Sequence, residues 1–228
     1  MQRAICLQHV SFEGPGAFAS SLSTRMVNLE RYLVPQAGLP KDAGDLLIVM
    51  GGPMSVNDSD PWIAEETAFI RSALRAGTPV IGVCLGSQFM AKALGATVRS
   101  GQALEIGMTP VRLTEHGKKD PVFGAAPGAF EVFEWHGEIF DLPSDCVPLA
   151  GSEMAPLQAF RYGDHAYGLL FHLEMEEGGI DSLCRECASD LAKAHVTASH
   201  VKSLAAPQLP QLHAIADRLI NHLLTAPR

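Results

Sequence analysis

Positive charge is scarce in this sequence. Seventeen Lys and Arg stand against 25 Asp and Glu, the formal net charge is −8, and no basic run interrupts the pattern. A surface that neutralises phosphates needs clustered cations, so a nucleic-acid platform or an anionic membrane is excluded as the chief partner. Long apolar runs are missing too: none approaches the roughly 20 residues needed to cross a bilayer. The opening stretch MQRAICLQHV carries one Arg, a short apolar run and no small-residue cleavage site, unlike a secretion signal. Cysteine is sparse and odd in number: Cys6, Cys84, Cys146, Cys184 and Cys187 make no disulfide framework at this length. A reduced, cytoplasmic protein with free thiols is expected. Internal repeats, low-complexity tracts, linkers and a Gly-rich Walker loop are also absent.

Of the 228 residues, 47% are hydrophobic and only 18% charged, too apolar for disorder and long enough for one large α/β domain. Function is therefore expected in a pocket. Three short apolar runs, Ala4–Leu7, Asp45–Met50 and Thr78–Val83, read as strands buried on both faces. Segments of helical spacing follow them: Phe18–Leu33, Trp62–Ala76 and Leu85–Leu94. The alternation predicts a three-layer α/β fold, a mostly parallel central sheet with helices on both faces. From Thr97 to Phe171 the runs shorten (Met108–Leu113, Phe130–Trp135, Val147–Ala150, Leu157–Tyr162, Tyr167–Phe171) and read as strands with some antiparallel pairing. Met175–Arg228 reads as helices broken near Pro207 and Pro210. A single domain over 1–228 with a helical portion at 175–228 is the simplest organisation.

Gly82-Val-Cys84-Leu-Gly86-Ser-Gln88 lies between a buried strand and a helix, the setting of a nucleophile elbow. A sharp turn at the strand's carboxyl end exposes the reacting atom, and flanking glycines let the backbone close. The helix N-terminus should favour thiolate over thiol at Cys84 and lower its pKa. The N–H of Leu85 then points where an oxyanion develops. His172 and Glu174, two apart at the end of an apolar run, share one side of an extended segment, which suits an imidazole and the carboxylate that orients it. Met50-Gly51-Gly52-Pro53 ends another strand and can turn an N–H inward as a second oxyanion donor. All three follow strand carboxyl ends, where open α/β sheets place ligands.

These blocks, MGGPMSV at 50–56, GVCLGSQ at 82–88 and FHLEME at 171–176, resemble the class I glutamine amidotransferase family. Glu134-Trp-His-Gly-Glu138 resembles a fourth, substrate-side block. The similarity spans roughly Leu46 to Glu176 and is nearest to the amidotransferase domain of GMP synthases. It implies a flavodoxin-like fold and an enzyme in which Cys84 attacks the side-chain amide of glutamine through a thioester. His172 protonates the departing ammonia and then activates water, while Glu174 orients His172. Gly52 and Leu85 supply the oxyanion donors, and Gln88, His136 and Gly137 hold the substrate, Gly137 in a loop over its α-amino end. No cofactor and no metal are implied. Trp135 and Glu138 depart from the usual residues beside His-Gly, which bears on amine or acyl specificity.

With no synthetase segment in the sequence, such an enzyme would hydrolyse glutamine or a γ-glutamyl small molecule outright, or feed ammonia to a separate synthetase subunit. Two other readings compete: a redox sensor built on the elbow cysteine, and a non-catalytic subunit that gates another enzyme. A zinc site on Cys184-Arg-Glu-Cys187 with His195 and His200 has intervals that are too short, and those cysteines read as core. His9 and the remaining histidines show no partner pattern. Phe12-Glu-Gly-Pro-Gly16 is a candidate substrate-side loop, but the turn alone explains its Gly and Pro.

Overall fold

The computed structural model describes residues 2–225. The expected unit of 1–228 therefore has its extreme ends, Met1 and 226–228, outside the described residues.

Among the described residues nine strands form one sheet in the order β2-β1-β3-β4-β9-β8-β7-β5-β6. The parallel half comprises β1 (Arg3–Gln8), β2 (Asn28–Leu33), β3 (Leu46–Val49), β4 (Val80–Val83) and β9 (Ala166–Leu169). The antiparallel half comprises β5 (Val98–Leu113), β6 (Ala129–Phe140), β7 (Cys146–Gly151) and β8 (Ala159–Tyr162). The sheet curls. Phe133 of β6, at one end of the strand order, bridges to His172 just beyond β9, and the His172 N–H donates to the Phe133 carbonyl at 2.8 Å.

The parallel strands are apolar throughout because both faces are covered, and alternate residues feed two cores. Ala4, Cys6, Leu46 and Ile48 pack toward α1 (Gly16–Thr24) and α8 (Leu209–Thr225). Ile5, Leu7, Leu47 and Val49 pack toward the short α2 (Val34–Ala37), α3 (Pro61–Arg75) and α4 (Leu85–Ala93). Beyond β9 the chain is helical: α5 (Glu177–Glu186), α6 (Ala188–Lys193), α7 (Ala198–Ala205) and α8. Among the described residues no helix is long and apolar enough to cross a membrane.

Two expectations need correction. The helix predicted over Phe18–Leu33 stops at Thr24, and Met26 adopts a positive φ of 55° that helical backbone does not allow. Asn28–Leu33 then pairs with β1 as a half-exposed edge strand, burying its residues by pairing rather than by a helical face. Gly137 and its neighbours, expected as a loop, lie inside the long strand β6, which runs on past the strand expected over Phe130–Trp135. The bend there comes from its neighbour: the β5–β6 register slips between Ser100 and Glu105, opposite Gly137.

Candidate active site

Four parallel strands deliver their carboxyl ends to one crevice. His9 follows β1, Gly51-Gly52 follows β3, Cys84 follows β4, and His172 lies three residues beyond β9. The strand order 2-1-3-4 reverses direction at β1, the topological switch point at which doubly wound sheets hold ligands.

Cys84 sits at φ 49° and ψ −110°, a conformation that non-glycine residues rarely adopt, at a cost of order 1–3 kcal/mol. The elbow is locked from both sides. The Cys84 N–H donates to the Leu169 carbonyl of β9 at 2.8 Å, and the Ser87 hydroxyl donates to the Cys84 carbonyl at 2.6 Å. Gly86 must lack a side chain, because a Cβ there would sit 2.0 Å from the Val49 carbonyl oxygen. The turn forces the sulfur to face a cavity of about 260 Å³, which Cys84 lines together with Gly52, Gln88, His136 and Gly137.

The sulfur meets three groups. Sγ donates to the Trp135 carbonyl at 3.5 Å, while the Leu85 N–H and the His172 ring both act on it to favour the thiolate. Burial nevertheless outweighs them and pushes the thiol up. This corrects the expectation of a depressed pKa: the helix-terminal N–H contributes as expected, but a sulfur sealed from water loses more than one N–H returns. The thiolate thus requires a strong base beside it.

His172 is the basic group that faces it. Its Nδ1–H donates to Glu174 Oε1 at 2.7 Å, and both side chains are almost wholly buried. Burial disfavours the imidazolium, but Glu174 and Cys84 together overcome this and hold its pKa well above 6.5. Nε2 makes no aligned hydrogen bond, although it is close enough to Sγ for each group to shift the other's titration. Glu174 is fixed in turn through its backbone, whose carbonyl accepts from the Ala17 N–H at 2.9 Å. Gly16, at φ 41°, makes that approach possible, since a Cβ would lie 2.0 Å from the same oxygen.

The expected substrate-side residues also gather. Gln88 is buried, and its amide donates to the Glu138 carbonyl at 3.4 Å. Gly137 packs on Leu104, where a Cβ would come within 2.8 Å of Cδ2. Leu85 and Gly52 touch: a Cβ on Gly52 would lie 3.1 Å from Leu85 Cδ2. His136 departs from a simple substrate contact. Its Nε2 lies 3.1 Å from Glu134 Oε2 and 3.3 Å from Glu105 Oε2, all three residues buried. This trio is the one cluster among the described residues whose donor atoms are close enough to hold a metal ion. Burial pushes both carboxyls up, so the trio can close its charge with shared protons alone. The Cys184–Cys187 pair gathers no histidine into such a cluster among the described residues.

Glu13 and His9 received no site role from sequence. Glu13, in the Gly/Pro turn, is buried beside Gly51 and lines the cavity; burial raises its pKa. His9, unassigned from sequence, bonds the Gly51 carbonyl at 2.9 Å. Its position directly after a strand, like that of Cys84, was the available signal.

The class-I glutamine amidotransferase family profile matches residues 19–184. The chain belongs to that family. It is a cysteine-dependent glutamine amidotransferase by descent. A glutamine amidotransferase-like protein of Salmonella typhimurium is 34% identical over 194 residues, covering 82% of this chain and 81% of that protein. A GMP synthase of Thermomicrobium roseum is 35% identical over 144 residues, 60% of this chain and 24% of the synthase. The amidotransferase thus aligns with about a quarter of that synthase. The crystal structure of a glutamine amidotransferase from Thermotoga maritima superposes with a TM-score of 0.90 at 26% identity, covering 99% of each chain. One from Methylobacillus flagellatus gives 0.91, also at 26% identity, covering all of this chain and 96% of that one.

Proposed function

We propose that this amidotransferase hydrolyses the side-chain amide of glutamine, or of a γ-glutamyl small molecule, through a thioester on Cys84, and releases ammonia or the corresponding amine. The observation that carries this reading is the strained Cys84 elbow, backed by the 2.7 Å His172–Glu174 pair, at the floor of the cavity.

The steps follow from the groups present. The Sγ–H proton passes to His172 Nε2, and the sulfur attacks the amide carbon. The carbonyl oxygen becomes an oxyanion facing the Gly52 and Leu85 N–H groups. The C–N bond breaks as His172 returns the proton to the leaving nitrogen. His172 then takes a proton from water, the hydroxide adds to the thioester, and the C–S bond breaks to free glutamate and the thiol. Glu174 keeps the ring oriented and supports its charged form.

The cavity wall bears on the substrate. Glu13, Glu138 and Asp190 line it, and among the described residues no Lys or Arg does. That field favours a ligand carrying an ammonium group, as the α-amino end of a γ-glutamyl compound does, and leaves its carboxylate to backbone N–H donors. Where ammonia is not simply released, a separate synthetase-type partner would accept it. A reduced, cytoplasmic setting suits the free thiol. The redox-sensor reading is disfavoured, because a sensor thiol needs exposure and thiolate character, whereas Cys84 is buried with its thiol pushed up.

The test is ammonia release across glutamine and γ-glutamyl amides, with wild type beside Cys84→Ala. Turnover that the substitution abolishes supports the proposal. Wild-type protein that opens none of these amides, alone or with a candidate acceptor protein, refutes it.

A further inference from the structure

We propose that His9, clamped by Glu66, is a positioning residue for the oxyanion site: it holds the Gly51 carbonyl and so aims the Gly52 N–H into the cavity. This rests on the reading above that the Gly52 N–H is an oxyanion donor.

The geometry begins at the ring. His9 is buried in a cluster with Trp62 and Phe89, its ring centroid 5.7 and 5.5 Å from theirs, its plane within 30° and 22° of parallel, and the two partners 6.1 Å from each other. Held there, its two nitrogens have one direction each. Nδ1 lies 2.9 Å from the Gly51 carbonyl oxygen, and Nε2 lies 3.1 Å from Glu66 Oε1. A carbonyl oxygen can only accept, so Nδ1 carries a proton. Glu66 of α3, wholly buried, holds Nε2 at the other end of the ring. The other carboxylate acting on this group is Glu13, from the turn after β1.

The consequence passes through one peptide bond. The Gly51–Gly52 bond is trans, so its C=O and N–H point in opposite directions. With the carbonyl tied to His9, the Gly52 N–H must face away from the ring, on the side where Gly51 meets Cys84 and Glu13 and where Gly52 lines the cavity. That N–H donates to no group of the protein among the described residues. Turning the peptide over would set it against the Nδ1–H, two buried donors facing each other, and aim the carbonyl at the forming oxyanion. His9 blocks that inversion. No tie of this kind is needed at Leu85, whose N–H is fixed by its helix.

His9→Leu removes the donor and keeps an apolar side chain packed against the two rings. His9→Asn restores a donor near the place of Nδ1. Two rates separate positioning from general damage: amide turnover, which passes through an oxyanion, and alkylation of Cys84 by iodoacetamide, which does not. The leucine variant should lose about 100- to 1000-fold in kcat, the usual cost of one oxyanion donor, with KM and alkylation each within about threefold of wild type. The asparagine variant should recover to within about tenfold. If leucine does not fold, His9→Gln, whose amide reaches toward the place of Nε2 instead, replaces it. A kcat within about threefold of wild type, alkylation that falls in step with kcat, or asparagine as poor as leucine would overturn the proposal. Should wild type open no amide, the function reading fails by itself. A crystal structure of the variant then decides: a Gly51–Gly52 peptide turned over supports the role of His9, and an unchanged peptide overturns it.

Discussion

Replacing Glu174 by Gln tests the electrostatic core of the site with little change of shape. The amide oxygen can still accept from His172 Nδ1–H at the observed 2.7 Å, so the ring keeps its place while its counter-charge disappears. Two routes bound the loss. A charge-assisted hydrogen bond is about twice as strong as a neutral one, a difference of about 1.5 kcal/mol. Unit charges about 4 Å apart at an effective dielectric of about 20 interact by roughly 4 kcal/mol. The routes describe one interaction and are not summed, so the imidazolium should be destabilised by roughly 1.5–4 kcal/mol and kcat should fall about 10- to 1000-fold. Glu174 does not line the cavity, so KM should stay within about threefold. The assay is steady-state ammonia release from glutamine, with thermal unfolding as a check on the fold. A kcat loss below about threefold, or a loss confined to KM, would refute the claim that Glu174 acts through the charge of His172.

Glu13→Gln should speed alkylation of Cys84 at neutral pH several-fold, because the Glu13 charge is among the influences that hold the thiol up. A slower reaction would show that Glu13 supports the nucleophile. Stability should fall as pH rises from about 5 to 8. Glu13, Glu105 and Glu134 are raised from 4.5, and His9 and His172 are raised from 6.5, so the folded state binds protons more tightly than the unfolded chain at all five. Such groups stabilise below their unfolded pKa and lose that contribution as pH passes their folded one. A thermal midpoint that climbs steadily from pH 5 to 8 would contradict this sign. Elemental analysis of the purified, metal-supplemented protein should find no stoichiometric ion that Glu105→Gln removes, if the Glu105–Glu134–His136 trio closes on protons. An ion bound one per chain and lost in that variant would reverse the assignment.

The sequence by itself determined the parts whose cause is local. Apolar runs too short for helices and bounded by Gly and Pro became β1, β3 and β4, because a strand buried on both faces can tolerate few polar residues. The elbow at Cys84 was legible because only glycine fits at Gly86, against the Val49 carbonyl. His172 and Glu174 were legible as a pair because an extended chain turns i and i+2 to one side. Tertiary structure alone decided the rest. Nothing local distinguishes Asn28–Leu33 from more helix, since its strand state comes from pairing with β1, and the 134–138 block reaches the cavity because the sheet curls back at the Phe133–His172 bridge. The rise of the Cys84 thiol depends on how deeply the folded chain seals the sulfur, which no neighbour in sequence reports. His9 and Glu66 lie 57 positions apart and acquire a task only where β1, β3 and α3 converge, because a hydrogen bond is a matter of distance in space.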